Sequence, residues 1–245
     1  MIYFISDSHL GSRLVKNPRE HEMHFVNWLD KIKQDAEAIY LLGDIFDFWF
    51  EYKTVMPKGF VRLLGKLAEL VDSGIEIHFF TGNHDIWTFG YLEHEIGLII
   101  HREPISIELS GKKFYLAHGD GLYVEEKGFK IIRGIFHNRT CQRLFSLIPP
   151  VIGQNFGYTW SKNNRKKILH INNGYLGEDK ENLVVFSKKY VETNDVDFLI
   201  FGHRHIELDL QLKNKSRVII LGDFIGIYSY GVFDGKDFRL ENFFE

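Results

Sequence analysis

Cysteine is almost absent from this chain of 245 residues, in which Cys141 is the single one. A lone cysteine cannot form an internal disulfide, and this usage is typical of a reducing compartment. Long apolar runs are also missing, since no stretch approaches the ~18 residues that a membrane-spanning helix needs. The apolar residues 2–5 lead directly to the candidate functional residue Asp7, which leaves no room for a signal peptide. We therefore expect a cytoplasmic protein.

Acidic residues are missing from one window, which runs from residue 127 to residue 177. The window holds nine lysines and arginines and carries +9; because the whole chain carries −3, the remainder carries −12. This asymmetry indicates an anionic partner, and the alternative is a solvated basic face. The 44% hydrophobic content is ordinary for a globular protein, and a chain of this length can bury one sizeable core.

The first half of the chain alternates apolar runs with helical periodicity. Strands are predicted at residues 2–6, 38–42 and 76–81, and helices with one apolar face at 20–34 and 60–71. A short helix is expected near 91–95, and Ser110-Gly111 predicts a hairpin of residues 105–109 and 113–117. Alternation of this kind indicates a largely parallel α/β sheet.

The pattern changes after Asp120, where two helical stretches precede Pro149-Pro150. Their apolar positions are Phe129, Ile132, Phe136, Cys141, Leu144, Phe145 and Ile148. Apart from Cys141, these residues line an apolar cleft, contact a membrane surface or form a core of their own, and all three interpretations stay open. A helix near 183–192, a strand at 198–201 and antiparallel strands at 206–212, 217–221, 228–233 and 238–243 are expected next. We predict a single domain, 1–245, in which residues 121–179 are inserted as a helical lid.

Five apolar runs end in residues that can bind metal ions. The runs end at Asp7-Ser8-His9, Gly43-Asp44, Gly82-Asn83-His84-Asp85, His118-Gly119-Asp120 and Gly202-His203-Arg204-His205. Hard cations prefer carboxylate and amide oxygens, while manganese, iron, cobalt and zinc also accept imidazole. Each motif alone is also typical of a turn or a helix cap, but together at strand ends they predict two ions. We assign Asp7, His9, Asp44 and His205 to one ion, and Asp44, Asn83, His118 and His203 to the other.

Asp44 is the predicted bridge between the two ions. Two dications and two carboxylates leave an excess of about +2, which lowers the pKa of a bridging water and attracts a phosphoryl group. The many imidazoles favour Mn²⁺. His84 fits neither ligand set, and we expect it to donate to a phosphoryl oxygen or protonate a leaving group, with Asp85 orienting it. Asp120 is expected to hold His118.

These motifs resemble the calcineurin-like metallophosphoesterase superfamily. Gly43-Asp44-Ile45-Phe46-Asp47-Phe48-Trp49, Gly128-Phe129 and residues 161–167 further resemble the UDP-2,3-diacylglucosamine pyrophosphatase family of lipid A biosynthesis. The resemblance implies an α/β fold, an αββα sandwich of two mixed sheets with a helical lid. It also implies a hydrolase that cleaves UDP-2,3-diacylglucosamine to UMP and 2,3-diacylglucosamine 1-phosphate by attack of a metal-bridging hydroxide. The substrate contacts that it implies are Asn83, His84, Phe129, Ser161, Asn164, Lys167 and His203.

The insertion is basic and its helices have an apolar face. It therefore suits a substrate that is both anionic and lipid-like, and a peripheral position on the inner membrane. The chain departs from the family pattern in three places. His84 stands where arginine is often found, Phe129 stands where tyrosine is often found, and Gly222-Asp223-Phe224 is the third departure. An alternative function is a two-metal phosphodiesterase for nucleic acid or cyclic nucleotides, with the basic window following a phosphate backbone. A third is a metal-bound scaffold without catalysis. We expect the lipid enzyme, with no nucleic-acid partner.

Overall fold

The computed structural model describes residues 1–122, 127–170 and 174–244, with only the backbone described for 127–130, 132 and 164–170. The strands are β1 (Ile2–Ile5), β2 (Ala38–Leu41), β3 (Glu76–Phe80), β4 (Ile99–His101), β5 (Ile105–Leu109), β6 (Lys112–Ala117), β7 (Phe198–Phe201), β8 (Glu207–Gln211), β9 (Arg217–Leu221), β10 (Ser229–Phe233) and β11 (Phe238–Asn242). The helices are α1 (Pro18–Ile32), α2 (Val61–Asp72), α3 (Tyr91–His94), α4 (Lys127–His137), α5 (Arg139–Ser146), α6 (Pro150–His170) and α7 (Asn182–Tyr190).

The strands form two mixed sheets. The first has the order β11-β10-β1-β2-β3-β4, with β1 to β4 parallel and β10 antiparallel to β1. The second has the order β5-β6-β7-β9-β8, with β6, β7 and β9 parallel and both edge strands antiparallel. The predicted pair of mixed sheets is therefore confirmed.

Three apolar layers separate the sheets and helices. Along β1, Ile2 and Phe4 point between the two sheets, while Tyr3 and Ile5 pack with α1 and α2 on the outer face. This alternation follows from the period of two in a strand. A third cluster packs α7 on the outer face of the second sheet. Each large apolar side chain buried in this way contributes about 1.5–3 kcal/mol. The layers give the expected αββα sandwich.

The C-terminal strands differ from the sequence prediction in one respect. The expected antiparallel pairs β8–β9 and β10–β11 are confirmed, but β9 also pairs with β7, and this pair is parallel, with Phe198 opposite Arg217. Residues 218–221 are all fully buried, as is usual for a strand in the middle of a parallel sheet with both faces covered. The edge strand β4, only three residues long, has no counterpart in the prediction.

The predicted insertion contains α4, α5 and α6. The sequence missed α6 because its apolar, aromatic and basic residues are spread around the helix rather than gathered on one face. The apolar positions of α4 and α5 separate into two groups: Phe136 and Phe145 pack against Phe48 and Phe50, whereas Leu144 is 62% exposed. The side chains of Phe129 and Ile132 lie outside the described residues. In the described part of the chain, no helix combines the length and apolar character needed to cross a membrane.

Candidate metal centre

The five motifs follow five strands whose ends meet between the sheets. Asp7, Asp44 and Asn83 come after the parallel strands β1, β2 and β3, while His118 and His203 come after the parallel strands β6 and β7. Carboxyl ends of neighbouring parallel strands lie at the same edge of a sheet, which is where α/β proteins place their ligands. The fold therefore brings the sequence motifs together although about 200 residues separate the first from the last.

The first ligand group consists of Asp7, His9 and His205. The Nε2 atoms of the two imidazoles lie 3.2 Å apart, and they lie 3.6 and 3.3 Å from Asp7 Oδ1. The three side chains can hold one metal ion. Such a short separation between two imidazole nitrogens beside a carboxylate requires a proton or a cation between them.

The second ligand group consists of Asp44, His118 and His203. Asp44 Oδ2 lies 3.5 Å from His118 Nε2, and it also lies 3.7 Å from His9 Nε2 of the first group. The other oxygen, Oδ1, accepts the backbone N–H of His84 at 2.9 Å, which fixes the carboxylate. One oxygen of Asp44 thus faces imidazoles of both groups, as a bridging ligand must.

Hydrogen bonds set the tautomers of the imidazoles. His118 Nδ1 donates to the Leu42 carbonyl at 2.8 Å, and His205 Nδ1 donates to Asp223 Oδ2 at 3.1 Å. Because Nδ1 is used in this way, Nε2 is the ring atom that faces Asp7 or Asp44. This arrangement, in which the far ring nitrogen is held by an oxygen, is usual for metal-binding histidine.

Several buried polar atoms find no hydrogen-bond partner among the described residues. They include Asp7 Oδ1, Asn83 Oδ1 and His118 Nε2. A buried polar atom left without a partner costs about 1–3 kcal/mol, so three such atoms on predicted ligands need an explanation. Carboxylate, amide and imidazole donors together suit divalent transition ions. The residues present therefore fit metal binding.

The charges at the site are strongly coupled. Burial by itself would raise the pKa of Asp44, but His118 and His84 hold that pKa well below its usual range. Burial likewise opposes the charged form of His118, whose pKa the Asp44 carboxylate nevertheless raises well above the ordinary value. Burial and the neighbouring His118 lower the pKa of His203 to about 4. Anionic Asp44 and neutral His203 are the forms that bind metals.

The backbone of the predicted ligands is unusual. Five of them have φ in the left-handed region: Asp7 at 54°, His9 at 43°, Asp44 at 53°, His203 at 68° and His205 at 51°. This conformation is uncommon outside glycine, costs about 1–3 kcal/mol, and is typical of functional sites. Hydrogen bonds from Asp7 N to Gly43 O and from His9 N to Asp44 O, at 3.1 and 2.9 Å, hold two of these turns.

Asp85 connects the loops that carry the ligands. Its carboxylate is fully buried and accepts backbone N–H groups of Gly82, Asp44, Ile45 and Phe46 at 2.8–3.3 Å. Burial and the nearby Asp44 raise the pKa of Asp85 to about 7. We expected Asp85 to orient His84, and that expectation is wrong. The Asp47 carbonyl holds His84 Nδ1 instead, at 2.9 Å.

Asp120 also differs from its expected role. We expected it to hold His118, but it accepts from Arg133 Nε at 3.1 Å, and the Leu42 carbonyl takes the His118 proton. Sequence reasoning also missed Asp47, whose Oδ1 lies 3.6 Å from His9 Nδ1. It gave Asp223 no role, although that residue was visible as a departure from the family pattern. These carboxylates lie far along the chain from the imidazoles that they contact.

The predicted substrate contacts are only partly described. His84 is half-buried, and its Nε2 lies 3.9 Å from Asp44 Oδ2. Ser161 on α6 is 2% exposed, and its Oγ has no hydrogen-bond partner among the described residues. The side chains of Phe129, Asn164 and Lys167 lie outside the described residues. The ligand and substrate roles of all these residues stay predictions.

Comparison with known proteins agrees with the geometry. The calcineurin-like phosphoesterase family matches residues 1–207. A Porphyromonas gingivalis protein named UDP-2,3-diacylglucosamine hydrolase is 44% identical over 98% of this chain and 97% of its own. A Haemophilus influenzae protein of the same name is 28% identical, covering 90% and 89%. Among solved structures, a phosphoesterase from E. coli matches at 15% identity with a TM-score of 0.47, covering 99% and 92%. Since the family match spans most of the sequence, the chain belongs to the calcineurin-like phosphoesterase family.

Proposed function

We propose that this chain hydrolyses the pyrophosphate bond of UDP-2,3-diacylglucosamine and releases UMP and 2,3-diacylglucosamine 1-phosphate. The observation that carries the proposal is the position of Asp44 Oδ2, within 4 Å of His9 in one ligand group and His118 in the other. The name of the P. gingivalis relative supports the substrate, because the 44% identity extends over nearly the whole of both chains.

Asp44 would be shared by two divalent ions, with Asp7, His9 and His205 on one side and Asn83, His118 and His203 on the other. When bound, two such ions lower the pKa of water and neutralise charge on a phosphoryl group. Four of the seven ligands are imidazoles, which favours Mn²⁺ over Mg²⁺ or Ca²⁺. The fixed Nδ1 protons of His118 and His205 keep these ligands in the correct orientation.

His84 is the residue that we assign to the departing phosphate. Its Nδ1 is held by the Asp47 carbonyl, so the ring cannot rotate freely. Its Nε2 faces the same Asp44 oxygen as the metal ligands, at 3.9 Å. A proton on Nε2 would therefore donate to a phosphoryl oxygen or to the leaving group. Asp85 acts at a distance, by holding the backbone of the two loops that present Asp44 and His84.

The insertion at 121–179 would serve as the lid over the lipid-linked sugar. Ser161, Asn164 and Lys167 are proposed contacts of the sugar phosphate, and Ser161 Oγ has its hydrogen-bonding capacity unused within the described residues. Exposed apolar side chains on this segment support a position at the inner-membrane surface, where the acyl chains are found: Leu144, Leu147, Val151, Ile152 and Phe156.

The test is an assay of the purified protein with UDP-2,3-diacylglucosamine, with UMP release followed by chromatography. After treatment with a chelator, activity should vanish and should return best with Mn²⁺ among Mn²⁺, Mg²⁺ and Zn²⁺. A generic phosphodiester, bis-p-nitrophenyl phosphate, and single-stranded DNA serve as competing substrates. Rapid turnover of either of these without UMP release from the lipid would refute the proposal.

A further inference from the structure

A polar cleft extends away from the metal centre. Two cavities of about 690 and 240 Å³ share Thr81, Arg102, Glu103 and His137 as lining residues, and the smaller one reaches Gly82 and the predicted ligand His118. We call the two together the basic cleft. The larger cavity, alone or together with the smaller one, falls within the range of about 300–1,000 Å³ that is usual for cavities that hold small ligands. A ligand in the basic cleft would therefore reach the reacting atoms from one side.

Positive charge dominates the walls of the larger cavity. Arg139 and Arg143, one turn apart on α5, are both exposed, and neither pairs with a carboxylate of the described chain. The acidic Glu51 also lines the cleft, but it is only 5% exposed, and its oxygens accept Trp49 Nε1 and the backbone N–H groups at the start of α3. Glu103 is an exposed carboxylate that lines both cavities, but the exposed cations Lys53, Arg139 and Arg143 outnumber it in the larger one.

The smaller cavity, next to the metal centre, is polar, and both of its arginines are paired with carboxylates. Asp120 lines it, but Arg133 Nε neutralises that carboxylate at 3.1 Å. Arg102 lines both cavities, donates to the Thr88 carbonyl at 3.2 Å and pairs with Glu93 at 3.2 Å, so its guanidinium is fixed along the wall and its charge is compensated. A polar group held in place in this way suits a polar heterocycle better than an acyl chain.

Phe89 adds an aromatic surface to this wall. Its side chain is 50% exposed, and its ring meets the fully buried ring of Phe50 edge to face at 5.6 Å. Exposure of an aromatic ring to water is unfavourable. A ring that a buried neighbour holds in an exposed position is therefore suited to contact with a ligand. Flat bases stack on such rings.

We propose that the basic cleft binds the nucleoside monophosphate half of the substrate, with the phosphate at the metal centre, the base against Phe89 and the carbonyl oxygens of the base near Arg139 and Arg143. This proposal rests on the proposed function. Cleavage of a pyrophosphate produces two halves, which must extend in different directions from the metal centre. The exposed apolar side chains of α5 and α6 suit the lipid half, and the basic cleft is the polar alternative.

The α6 helix, which carries Ser161, is held by other loops. Arg13 Nη2 donates to Asn155 Oδ1 at 2.6 Å, and Tyr158 packs on Phe48. None of these residues lines the basic cleft. The two halves of the substrate therefore have separate sets of contacting residues, so that substitutions can distinguish them.

The experiment measures binding of UMP to the Mn²⁺-loaded protein by isothermal titration calorimetry. We expect R139Q/R143Q to weaken UMP binding roughly tenfold or more, because two charge-assisted contacts are lost. Phe89→Leu should weaken it severalfold. K213Q/K236Q, which removes two exposed lysines outside the cleft, is the matched control and should bind like the wild type. Binding of 2,3-diacylglucosamine 1-phosphate should be unchanged in all variants.

Unchanged UMP affinity in both R139Q/R143Q and Phe89→Leu would overturn the assignment. An equal loss of affinity for UMP and for 2,3-diacylglucosamine 1-phosphate would also overturn it. Activity on UDP-2,3-diacylglucosamine distinguishes a wrong assignment of the cleft from a wrong proposed function. If the wild type cleaves this substrate while the variants bind UMP normally, only the assignment of the cleft is wrong. If the wild type does not cleave it, the proposed function is wrong. The variants should raise KM with little change in kcat.

Discussion

Arg204 donates from Nε and Nη2 to the two carboxylate oxygens of Glu181, at 2.7 and 3.1 Å. Glu181 is fully buried at the start of α7, and Arg204 lies between the predicted ligands His203 and His205. The pair therefore connects the start of α7, just after the end of the predicted insertion, with the loop that presents the two imidazoles. A bidentate guanidinium–carboxylate contact also fixes orientation, which a lysine at the same position cannot do.

Removal of one partner of this pair should cost more than removal of both. We expect Arg204→Met to lower the free energy of unfolding by roughly 3–5 kcal/mol, because it leaves the buried Glu181 carboxylate uncompensated. Glu181→Gln should cost less, because the Arg204 side chain is 23% exposed and its guanidinium can be solvated. The double variant E181Q/R204M should be less destabilised than the sum of the single variants. Urea unfolding measures the stabilities, and a Mn²⁺ titration of each variant should show weaker binding. If the losses of unfolding free energy in the two single variants add up to the loss in the double variant, Glu181 and Arg204 are not energetically coupled.

Substitution of Asp44 tests the bridge. Asp44→Ala should lower kcat by roughly 10³-fold or more, because both ions lose their shared ligand. Bound manganese per chain, measured by mass spectrometry after gel filtration, should fall below that of the wild type. Binding of the lipid product through the insertion should partly survive. Asp195→Asn, a change at an exposed carboxylate, is the control, and near-normal kcat in Asp44→Ala would refute the bridging role.

Gly202 is required where two loops approach closely. A Cβ atom there would lie 2.5 Å from Asp7 Oδ2 and 2.6 Å from Ser6 Oγ. Gly202→Ala should therefore cost about 1–3 kcal/mol of stability and displace the Asp7 carboxylate, with a loss of metal affinity. Gly65→Ala, in an open position on α2, should instead stabilise the protein by up to about 1 kcal/mol. Thermal unfolding with and without Mn²⁺ compares the two variants.

Alkaline stability should depend on Tyr40, which stacks on His78 with ring centroids 4.3 Å apart. Burial raises the pKa of Tyr40 to about 12, from 10.0. Between these values the unfolded chain loses the phenol proton while the native protein retains it, so that stability falls as pH rises from 10 to 12. Tyr40→Phe should show a shallower fall of unfolding free energy above pH 10 and the same slope as the wild type at pH 7–9. If the unfolding free energies of Tyr40→Phe and the wild type fall equally steeply above pH 10, Tyr40 does not cause the loss of stability.

The exposed apolar residues of the insertion predict binding to lipid surfaces. Leu147 and Val151 are 79% and 73% exposed. L147Q/V151Q should bind vesicles of phosphatidylglycerol and phosphatidylethanolamine roughly tenfold more weakly than the wild type in a sedimentation assay. Val61→Gln removes an apolar residue that is 75% exposed on α2, outside the insertion, and should have no effect. Failure of the wild type to bind vesicles would count against a position at the membrane.

The sequence by itself determined most of the strands and helices of the core. Local periodicity and turn residues placed β1, β2, β3, α1 and α2 within two residues of their observed bounds. It also identified the candidate ligands, because imidazole, amide and carboxylate groups follow one apolar run after another. Periodicity was insufficient for α6, where no single face is apolar, and for β9, whose direction depends on its neighbour in the sheet.

Only the tertiary structure decided which atoms meet. Asp223 holds His205 and the Asp47 carbonyl holds His84, whereas the sequence had assigned the orientation of His84 to Asp85. The left-handed turns at Asp7, Asp44 and His203 also emerged only from the fold. The physical reason is range: a strand is encoded by neighbours along the chain, whereas a contact between oxygen and nitrogen depends on how strands far apart in sequence are paired and stacked.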